Sequence, residues 1–226
     1  MIIAERKPFA EIKTAVAPFE KILIAGCGTC VAVCLAGGEK EVGLLASQLK
    51  LAFGQEGKHP KIGEITVERQ CDREFIQPLS DTVADYDAVI STACGAGVQF
   101  LAELPEMKPV FPALNTTFIG VNEEAGYYTE RCRACHQCYL GVTGGICPQT
   151  MCPKGLLNGP CGGNIQGKCE VNPEKACAWC EIYAKLEREG RLGQIEPILP
   201  LHPYGRSVTP GKVIHPAYKR RYVVHE

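Results

Sequence analysis

The sequence predicts an α/β protein, in which a doubly wound, mainly parallel sheet is followed by a small loop-rich domain built around cysteines. Short aliphatic runs alternate with segments of helical period over residues 1–125, which is typical of a parallel sheet with crossover helices. Nine of the fourteen cysteines then fall between residues 132 and 180, among many glycines. We therefore expect an α/β domain over 1–125, a cysteine-rich metal domain over 126–194 and an extended proline-rich tail over 195–226.

The strands of the first domain are predicted from continuous apolar runs. Residues 22–26 are aliphatic and end in glycine, as expected for a strand buried on both faces of a parallel sheet. Residues 62–68 and 88–92 are two further predicted strands, each of which ends just before a cysteine, and residues 118–121 offer a later strand. Residues 1–17 are only weakly periodic, so we expect a lead-in arm or a frayed terminus there.

Helices are expected between these strands. After the first strand, Val42, Leu45 and Leu49 recur at spacings of three and four residues, which places them on one face of a helix. Two more helices are expected, around residues 75–84 and 98–104. The alternation of strands and helices is that of a flavodoxin-like or Rossmann-like domain with right-handed crossovers.

One helix is predicted in the cysteine-rich half, over residues 181–190. Ile182, Tyr183 and Leu186 would share its apolar face, with charged residues on the other. Gly190 is placed to end the helix as a C-cap. We expect this helix to close the domain.

Five cysteines lie at or just beyond predicted strand ends: Cys27, Cys30, Cys34, Cys71 and Cys94. Loops after parallel strands emerge on the same edge of a sheet, and ligands bind there where the strand order reverses. Three separate loops would therefore deliver thiols to one crevice, which predicts a four-cysteine metal site. Cys27, Cys30 and Cys94 are the best supported ligands, and the fourth is either Cys34 or Cys71. For any single cysteine the alternative is a small buried side chain in the core.

The second group supplies eight further candidate metal ligands: Cys132, Cys135, Cys138, Cys147, Cys152, Cys161, Cys169 and Cys177. The first three form overlapping C-x-x-C units, which can place three thiolates around one metal centre. His136 lies between two of them and is an alternative ligand. How the other five cysteines divide between sites is left open by their spacing. With few apolar residues nearby, we expect the folding of this domain to depend on metal.

The run of residues 143–163, read together with Gly167-Lys-Cys169 and Cys177-Ala-Trp179, resembles the C-terminal-domain family of methylenetetrahydrofolate reductases. Over roughly residues 10–195, the chain is similar to the iron-sulfur subunits that accompany the flavoprotein of these reductases. In that family the residue corresponding to Cys180 need not be cysteine. The resemblance therefore makes Cys180 the spare thiol and leaves eight ligands for two four-cysteine sites.

The resemblance also implies a function. It implies 4Fe-4S clusters that pass electrons to the flavin of a MetF-type reductase, which would reduce 5,10-methylenetetrahydrofolate to 5-methyltetrahydrofolate in the methyl branch of the Wood-Ljungdahl pathway. The implied partners are that flavoprotein and an electron donor such as ferredoxin or another electron-transfer subunit. The tail from about residue 195 is a candidate for part of the contact with the flavoprotein, and folding of the tail on its own domain is the alternative.

Charge and hydropathy argue against some classes of partner. The formal net charge is -1, which gives no electrostatic case for binding nucleic acid or a membrane surface. The N-terminal residues contain no secretion signal and no apolar stretch is long enough to span a membrane, so we expect a cytoplasmic protein. In a reducing compartment, clustered cysteines indicate metal ligands rather than disulfides.

No catalytic constellation is recognisable, and 226 residues without the barrel pattern are too few for the flavin and folate sites of a reductase. A non-catalytic electron-transfer subunit is therefore the preferred interpretation. A zinc-binding scaffold subunit is the alternative, because zinc also binds four cysteines and could occupy one of the three sites. A thiol-disulfide oxidoreductase using Cys27 and Cys30 is a third possibility, which Cys71 and Cys94 argue against because a dithiol enzyme needs only two thiols.

Overall fold

The computed structural model describes residues 1–104, 107–201, 211–218 and 221. The strands are β1 Ile2–Arg6, β2 Lys21–Cys27, β3 Lys61–Val67, β4 Ala88–Ser91, β5 Val110–Pro112, β6 Leu114–Glu124 and β7 Tyr127–Cys132. The α-helices are α1 Phe9–Val16, α2 Cys30–Val33, α3 Glu39–Gln55, α4 Arg73–Ile76, α5 Leu79–Val83, α6 Gly95–Ala102, α7 Pro148–Met151 and α8 Ala178–Arg188. The chain divides into two units, Met1–Glu130 and Arg131–Glu226.

A four-stranded parallel sheet forms the centre of the first unit, in the order β3-β2-β4-β5. The chain passes from β2 to β3 on one side and then to β4 on the other. The strand order therefore reverses between β2 and β4, which is the switch point where doubly wound sheets bind ligands. The predicted fold class, an α/β sheet domain followed by a cysteine-rich region, is confirmed.

Helices cover both faces of this sheet. Ile22 and Ile24 of β2 pack on one face against α1 and α3, whereas Leu23 and Ala25 pack on the other face against α4, α5 and α6. The predicted period of α3 is confirmed, because its core positions are buried: Val42, Leu45, Ala46, Leu49 and Phe53. Each large aliphatic side chain buried in this way contributes about 1.5–3 kcal/mol. The sheet and its helices thus form a rigid base for the loops at the strand ends.

Three predictions for this unit need correction. Residues 1–17 are neither an arm nor frayed, because they form β1 and α1, and β1 pairs antiparallel with β6. The strand predicted at 118–121 is part of the longer β6, which lies in a separate sheet of order β1-β6-β7. The single helix expected over 75–84 is two short helices, because Pro78 has no N–H to donate within a continuous helix.

The second unit has few regular elements besides α7 and α8. Helix α8 begins three residues earlier than predicted, with Cys177 as its N-cap, and Gly190 follows its end at φ +65°. Trp179, Ile182 and Leu186 are buried in a small core, but Tyr183 is 49% exposed and does not share that face as predicted. The described residues also include two 3-10 helices, Leu192–Ile195 and Pro216–Tyr218.

Among the described residues, the helices lack the combination of length and apolar character that crossing a membrane requires.

Candidate metal centres

Four cysteines meet at the switch point of the parallel sheet. Cys27 is the last residue of β2, Cys30 is the first of α2, and Cys94 is the N-cap of α6 just beyond β4. Cys71 lies in the turn between β3 and α4. Burial raises the pKa of the Cys71 thiol, and the nearby sulfurs of Cys27, Cys94 and Cys30 raise it further. The four thiols, which come from three loops, are therefore close enough for their charges to interact.

Cys34 has different surroundings. It is the C-cap of α2 and only 8% exposed, and its Sγ donates hydrogen bonds to the carbonyl oxygens of Val31 at 3.5 Å and Ala4 at 3.6 Å. Burial raises the pKa of this thiol. A buried thiol whose partners are backbone carbonyls acts as part of the core. The geometry favours Cys71 over Cys34 as the fourth thiol of the crevice.

The strand ends are held close together by backbone contacts. The amide of Cys27 donates to the carbonyl of Gly37 at 3.0 Å, and the hydroxyl of Thr92 donates to the same carbonyl at 2.7 Å. A Cβ at Gly37 would lie 1.9 Å from the carbonyl oxygen of Thr92, so no larger residue fits this approach. The loops after β2 and β4 are therefore packed directly against each other.

The second unit contains two separate cysteine-lined cavities. A cavity of about 250 Å³ is lined by the first four cysteines of this unit: Cys132, Cys135, Cys138 and Cys147. A cavity of about 20 Å³ is lined by the next four: Cys152, Cys161, Cys169 and Cys177. The structure thus divides the eight cysteines into two sets of four, a division that their spacing left open.

Helix α7 separates the two sets. Cys147 is its N-cap and Cys152 is its C-cap, so these two residues, although close in sequence, lie at opposite ends of one helical turn. A rise of about 1.5 Å per residue puts their backbones roughly 7 Å apart along the helix axis. Cys147 lines the larger cavity and Cys152 lines the smaller one.

In the larger cavity, the loop around the first cysteines is tightly curled. Ala134 and His136 have φ values of 51° and 66°, in the left-handed region that non-glycine residues rarely adopt. This curl brings the amide of Ala134 to 3.4 Å from Sγ of Cys132. A backbone N–H directed at sulfur stabilises a thiolate, as metal-binding loops require. His136 also lines the cavity, so it is still an alternative ligand.

In the smaller cavity, an isolated antiparallel bridge aligns two of the cysteines. Lys168 pairs with Ala176, and the adjacent amides of Cys169 and Cys177 donate to the carbonyls of Lys175 and Gly167. The loop cysteine Cys161 accepts a hydrogen bond on Sγ from the amide of Gly163 at 3.5 Å. The same kind of N–H to sulfur contact therefore occurs in both cavities.

Cys180 lies beside this smaller site. Burial raises the pKa of its thiol, and the nearby sulfurs of Cys177 and Cys161 raise it further. It is not one of the residues that line the cavity. Its role as the spare thiol is still a prediction.

All fourteen cysteines are free thiols. Among the residues that the structure describes, no group of three or more His, Cys, Asp or Glu side chains is arranged to hold a metal ion. Thiolate-only donor sets suit both zinc and iron-sulfur clusters, so the type of ligand does not distinguish these metals.

Sequence reasoning missed one residue of the first site. Gln70, which precedes Cys71, is fully buried and contacts two other strand ends. A glutamine directly before a predicted ligand and just after a strand was the available signal.

The fold and its thiols define a class: a doubly wound α/β unit with cysteines at its switch point, joined to a unit with two four-cysteine cavities. Residues 111–204 match the model of the family described as "Methylene-tetrahydrofolate reductase C terminal". That segment contains both cavities, so the match supports the predicted relationship to methylenetetrahydrofolate reductases. No curated protein matches the chain.

Proposed function

We propose that the chain is a MetV-type iron-sulfur subunit, as found in acetogenic bacteria, which passes electrons to the flavin of a MetF-type methylenetetrahydrofolate reductase. The observation that carries the proposal is the presence of three separate sets of four thiols, one at a ligand-binding switch point and two around cavities. The family match supports a reductase as the partner.

When bound, 4Fe-4S clusters take up one electron each at low potential, and a flavin combines two such electrons into a hydride equivalent. The chain's own residues contribute the thiolates, the backbone N–H groups directed at sulfur and the rigid sheet beneath the first site. These are the requirements for holding electron carriers, whereas substrate chemistry belongs to the partner.

The two cavities of the second unit suit different metals. About 20 Å³ accommodates roughly one water-sized sphere, which fits a single metal ion. The cavity of about 250 Å³ has room for a larger group. We assign zinc to Cys152, Cys161, Cys169 and Cys177, and 4Fe-4S clusters to Cys132, Cys135, Cys138 and Cys147 and to Cys27, Cys30, Cys71 and Cys94.

Metal analysis of anaerobically purified protein, with a visible spectrum, tests this assignment. We expect about eight iron atoms and one zinc per chain, with broad visible absorption. Cys161→Ser should lose only zinc and Cys138→Ser only iron, so each variant is the control for the other. Zinc without iron would identify a scaffold subunit. A chain that binds neither metal would instead favour the interpretation as a thiol-disulfide oxidoreductase.

The described start of the tail supports a protein partner. The Asn158 side chain exchanges two hydrogen bonds with the backbone of Leu199, at 2.8 and 3.0 Å, which ties this point of the tail to its own unit. On either side, Ile198 and Leu201 are 85% and 87% exposed. Two largely exposed apolar side chains this close in the chain are candidates for a contact with another protein.

Co-purification with a MetF-type flavoprotein tests the tail. Replacing Ile198 and Leu201 by serine should weaken the complex while leaving the Asn158 contact intact. Val171→Ser, at an exposed apolar position elsewhere in the unit, is the control. Equal recovery of the intact chain, the variant at Ile198 and Leu201 and the Val171→Ser control would place the interface on the folded units. Failure of the intact chain to bind a flavoprotein would overturn the subunit assignment.

A further inference from the structure

A single buried amide connects the three strand ends that bear the cysteines of the first unit. Gln70 is fully buried and directly precedes Cys71, in the turn after β3. Its side chain extends away from its own strand end toward β2 and β4. All of its polar atoms have partners there.

Both hydrogens of the amide nitrogen are used on β2. Nε2 of Gln70 donates to the carbonyl oxygen of Ala25 at 2.8 Å and to that of Gly26 at 3.1 Å. These two residues immediately precede Cys27. The donated bonds therefore fix the distance between the loop of Cys71 and the end of β2.

The amide oxygen is used on β4. Oε1 of Gln70 accepts a hydrogen bond from the Ser91 hydroxyl at 2.6 Å. The hydroxyl oxygen of Ser91 in turn accepts from the amide of Ala93 at 3.3 Å, and Ala93 immediately precedes Cys94. A continuous series of hydrogen bonds thus runs from the residue before Cys71 to the residue before Cys94.

Glutamine is the side chain that meets these requirements. It combines two N–H donors and a carbonyl acceptor at the end of two methylenes, whereas glutamate offers no donor and methionine neither donor nor a comparable acceptor. The neighbouring chain is close, because a Cβ at Gly97 would lie 3.0 Å from Cβ of Gln70. Losing the amide would remove one donor from each of the Ala25 and Gly26 carbonyls and the acceptor of the Ser91 hydroxyl, although the Ala25 carbonyl would still accept from Thr92. Because these groups are buried, lost hydrogen bonds are costly there.

We propose that Gln70 is a positioning residue for the metal centre of Cys27, Cys30, Cys71 and Cys94, and that it sets the mutual spacing of the three loops without touching the metal. The inference rests on the proposed function, because it assumes that this crevice binds a cluster. Ser91 is the second member of the arrangement, since it transmits the contact to the loop of Cys94.

Two variants test the proposal, with two further variants for comparison, all in the full-length chain purified anaerobically. Gln70→Met keeps the length and removes the hydrogen bonds, and Ser91→Ala removes the link to Ala93. Phe53→Leu is the control, because Phe53 is buried in the core beside the opposite edge of the sheet, near Lys21 and Lys61. Cys94→Ser identifies the iron and the electron paramagnetic resonance signal that belong to the first site.

Two properties are measured: the rate at which a ferrous chelator removes iron from the first site, and the resonance spectrum of its reduced cluster. We expect Gln70→Met and Ser91→Ala to lose this iron about tenfold faster and to show an altered spectrum, as when outer contacts of metal ligands are removed. Phe53→Leu should lower the melting temperature with the rate and spectrum unchanged. The double variant should be no worse than Gln70→Met alone, because both act through one series of bonds.

A wild-type rate and spectrum in Gln70→Met would overturn the inference while leaving the cluster in place. An equal acceleration in Phe53→Leu would also overturn it, since the effect would then be general destabilisation. Identical iron content in Cys94→Ser and the wild type would instead show that the crevice holds no cluster, which overturns the proposed site itself.

Discussion

Residues of one type have different roles in this chain because their surroundings differ. Cys34 and Cys71 are both close to the switch point, and sequence spacing does not separate them. The sulfur of Cys34 is bonded to backbone carbonyls in the core, whereas Cys71 is exposed and lies near three other sulfurs. Neighbours, rather than residue type, decide which thiol is available to a metal.

The first prediction separates these two cysteines. Cys71→Ser should lose about four iron atoms per chain, because it removes one ligand of a four-thiolate site. Cys34→Ala should retain its iron and lose some stability, because it removes a buried side chain and its two hydrogen bonds. Iron analysis and thermal unfolding of both variants check this. Iron loss in Cys34→Ala with full iron in Cys71→Ser would reverse the assignment.

Cys180 offers a second prediction at the scale of one residue. Cys180→Ser should keep its full zinc and iron content, because the smaller cavity already has four cysteines around it. Cys177→Ser is the matched comparison, since it changes a neighbouring thiol that does line the cavity and should abolish zinc binding. Metal loss from Cys180→Ser equal to that of Cys177→Ser would make Cys180 a ligand.

At the scale of elements, α8 connects the core of the second unit to its smaller cavity. The indole N–H of Trp179 donates to the carbonyl of Leu156 at 3.0 Å, and the side chain lines the cavity of the four cysteines. Gly159 makes room for it, because a Cβ there would lie 2.4 Å from the indole ring. The helix, the ring and the ligand loops therefore pack as one group.

Trp179 is the only tryptophan, so its fluorescence reports on this group alone. We expect chelation of zinc to shift the emission to longer wavelength, because loosening of the loops would admit water to the buried ring. Added zinc should restore the original emission. In Cys161→Ser the chelator should have no effect, and an equal shift in that variant would show that the signal does not come from this site.

A second contact at this scale joins α1 to the end of α3. Lys13 donates a hydrogen bond to the carboxylate of Glu56, which lowers the pKa of that group from its ordinary value of 4.5. A lowered folded-state pKa stabilises the fold above the unfolded value and loses that effect as pH falls through the folded value. Both partners are on the surface, so salt screens the interaction.

The corresponding prediction concerns Glu56→Gln. Its melting temperature should be slightly below that of the wild type at neutral pH, and the difference should disappear in acid once the wild-type carboxylate is protonated. Glu103→Gln, at the exposed C-cap of α6, is the control. A difference that grows on acidification would contradict the lowered pKa.

At the scale of the molecule, the two units are stabilised in different ways. The first buries extensive apolar clusters on both faces of its sheet. Among its described residues the second has one small cluster, and two of the six buried members are the candidate ligands Cys152 and Cys177. Such a core supplies little hydrophobic stabilisation by itself, so metal binding should contribute much of the folding free energy of the second unit.

Limited proteolysis after metal removal checks this difference. We expect chelator-treated protein to be cleaved rapidly within residues 131–201 while a fragment of about residues 1–130 survives. Protein with its metals intact should resist cleavage in both parts. Cleavage of both units at the same rate after chelation would mean that their stabilities do not differ as proposed.

Features that depend on residues close together in the chain were predictable without the structure. Buried strands read as unbroken aliphatic runs, α3 showed its helical period, and the cysteines could be placed at strand ends because parallel strands put their ends on one edge. The bounds of α8 and its apolar face were only partly predicted. Its N-cap cysteine was missed, and Tyr183 was placed on the wrong face.

Features that depend on contacts between residues far apart in the chain became visible only in the folded structure. Residues 2–6 form a strand because they pair with β6, as Ile3 does with Phe118. The sequence of neither segment reveals this pairing. The division of eight cysteines into two sets depends on α7 and on the bridge of Lys168 with Ala176. Spacing along the chain limits which thiols can meet, but loop closure permits many arrangements of similar entropy. The packing of the loops selects one of them.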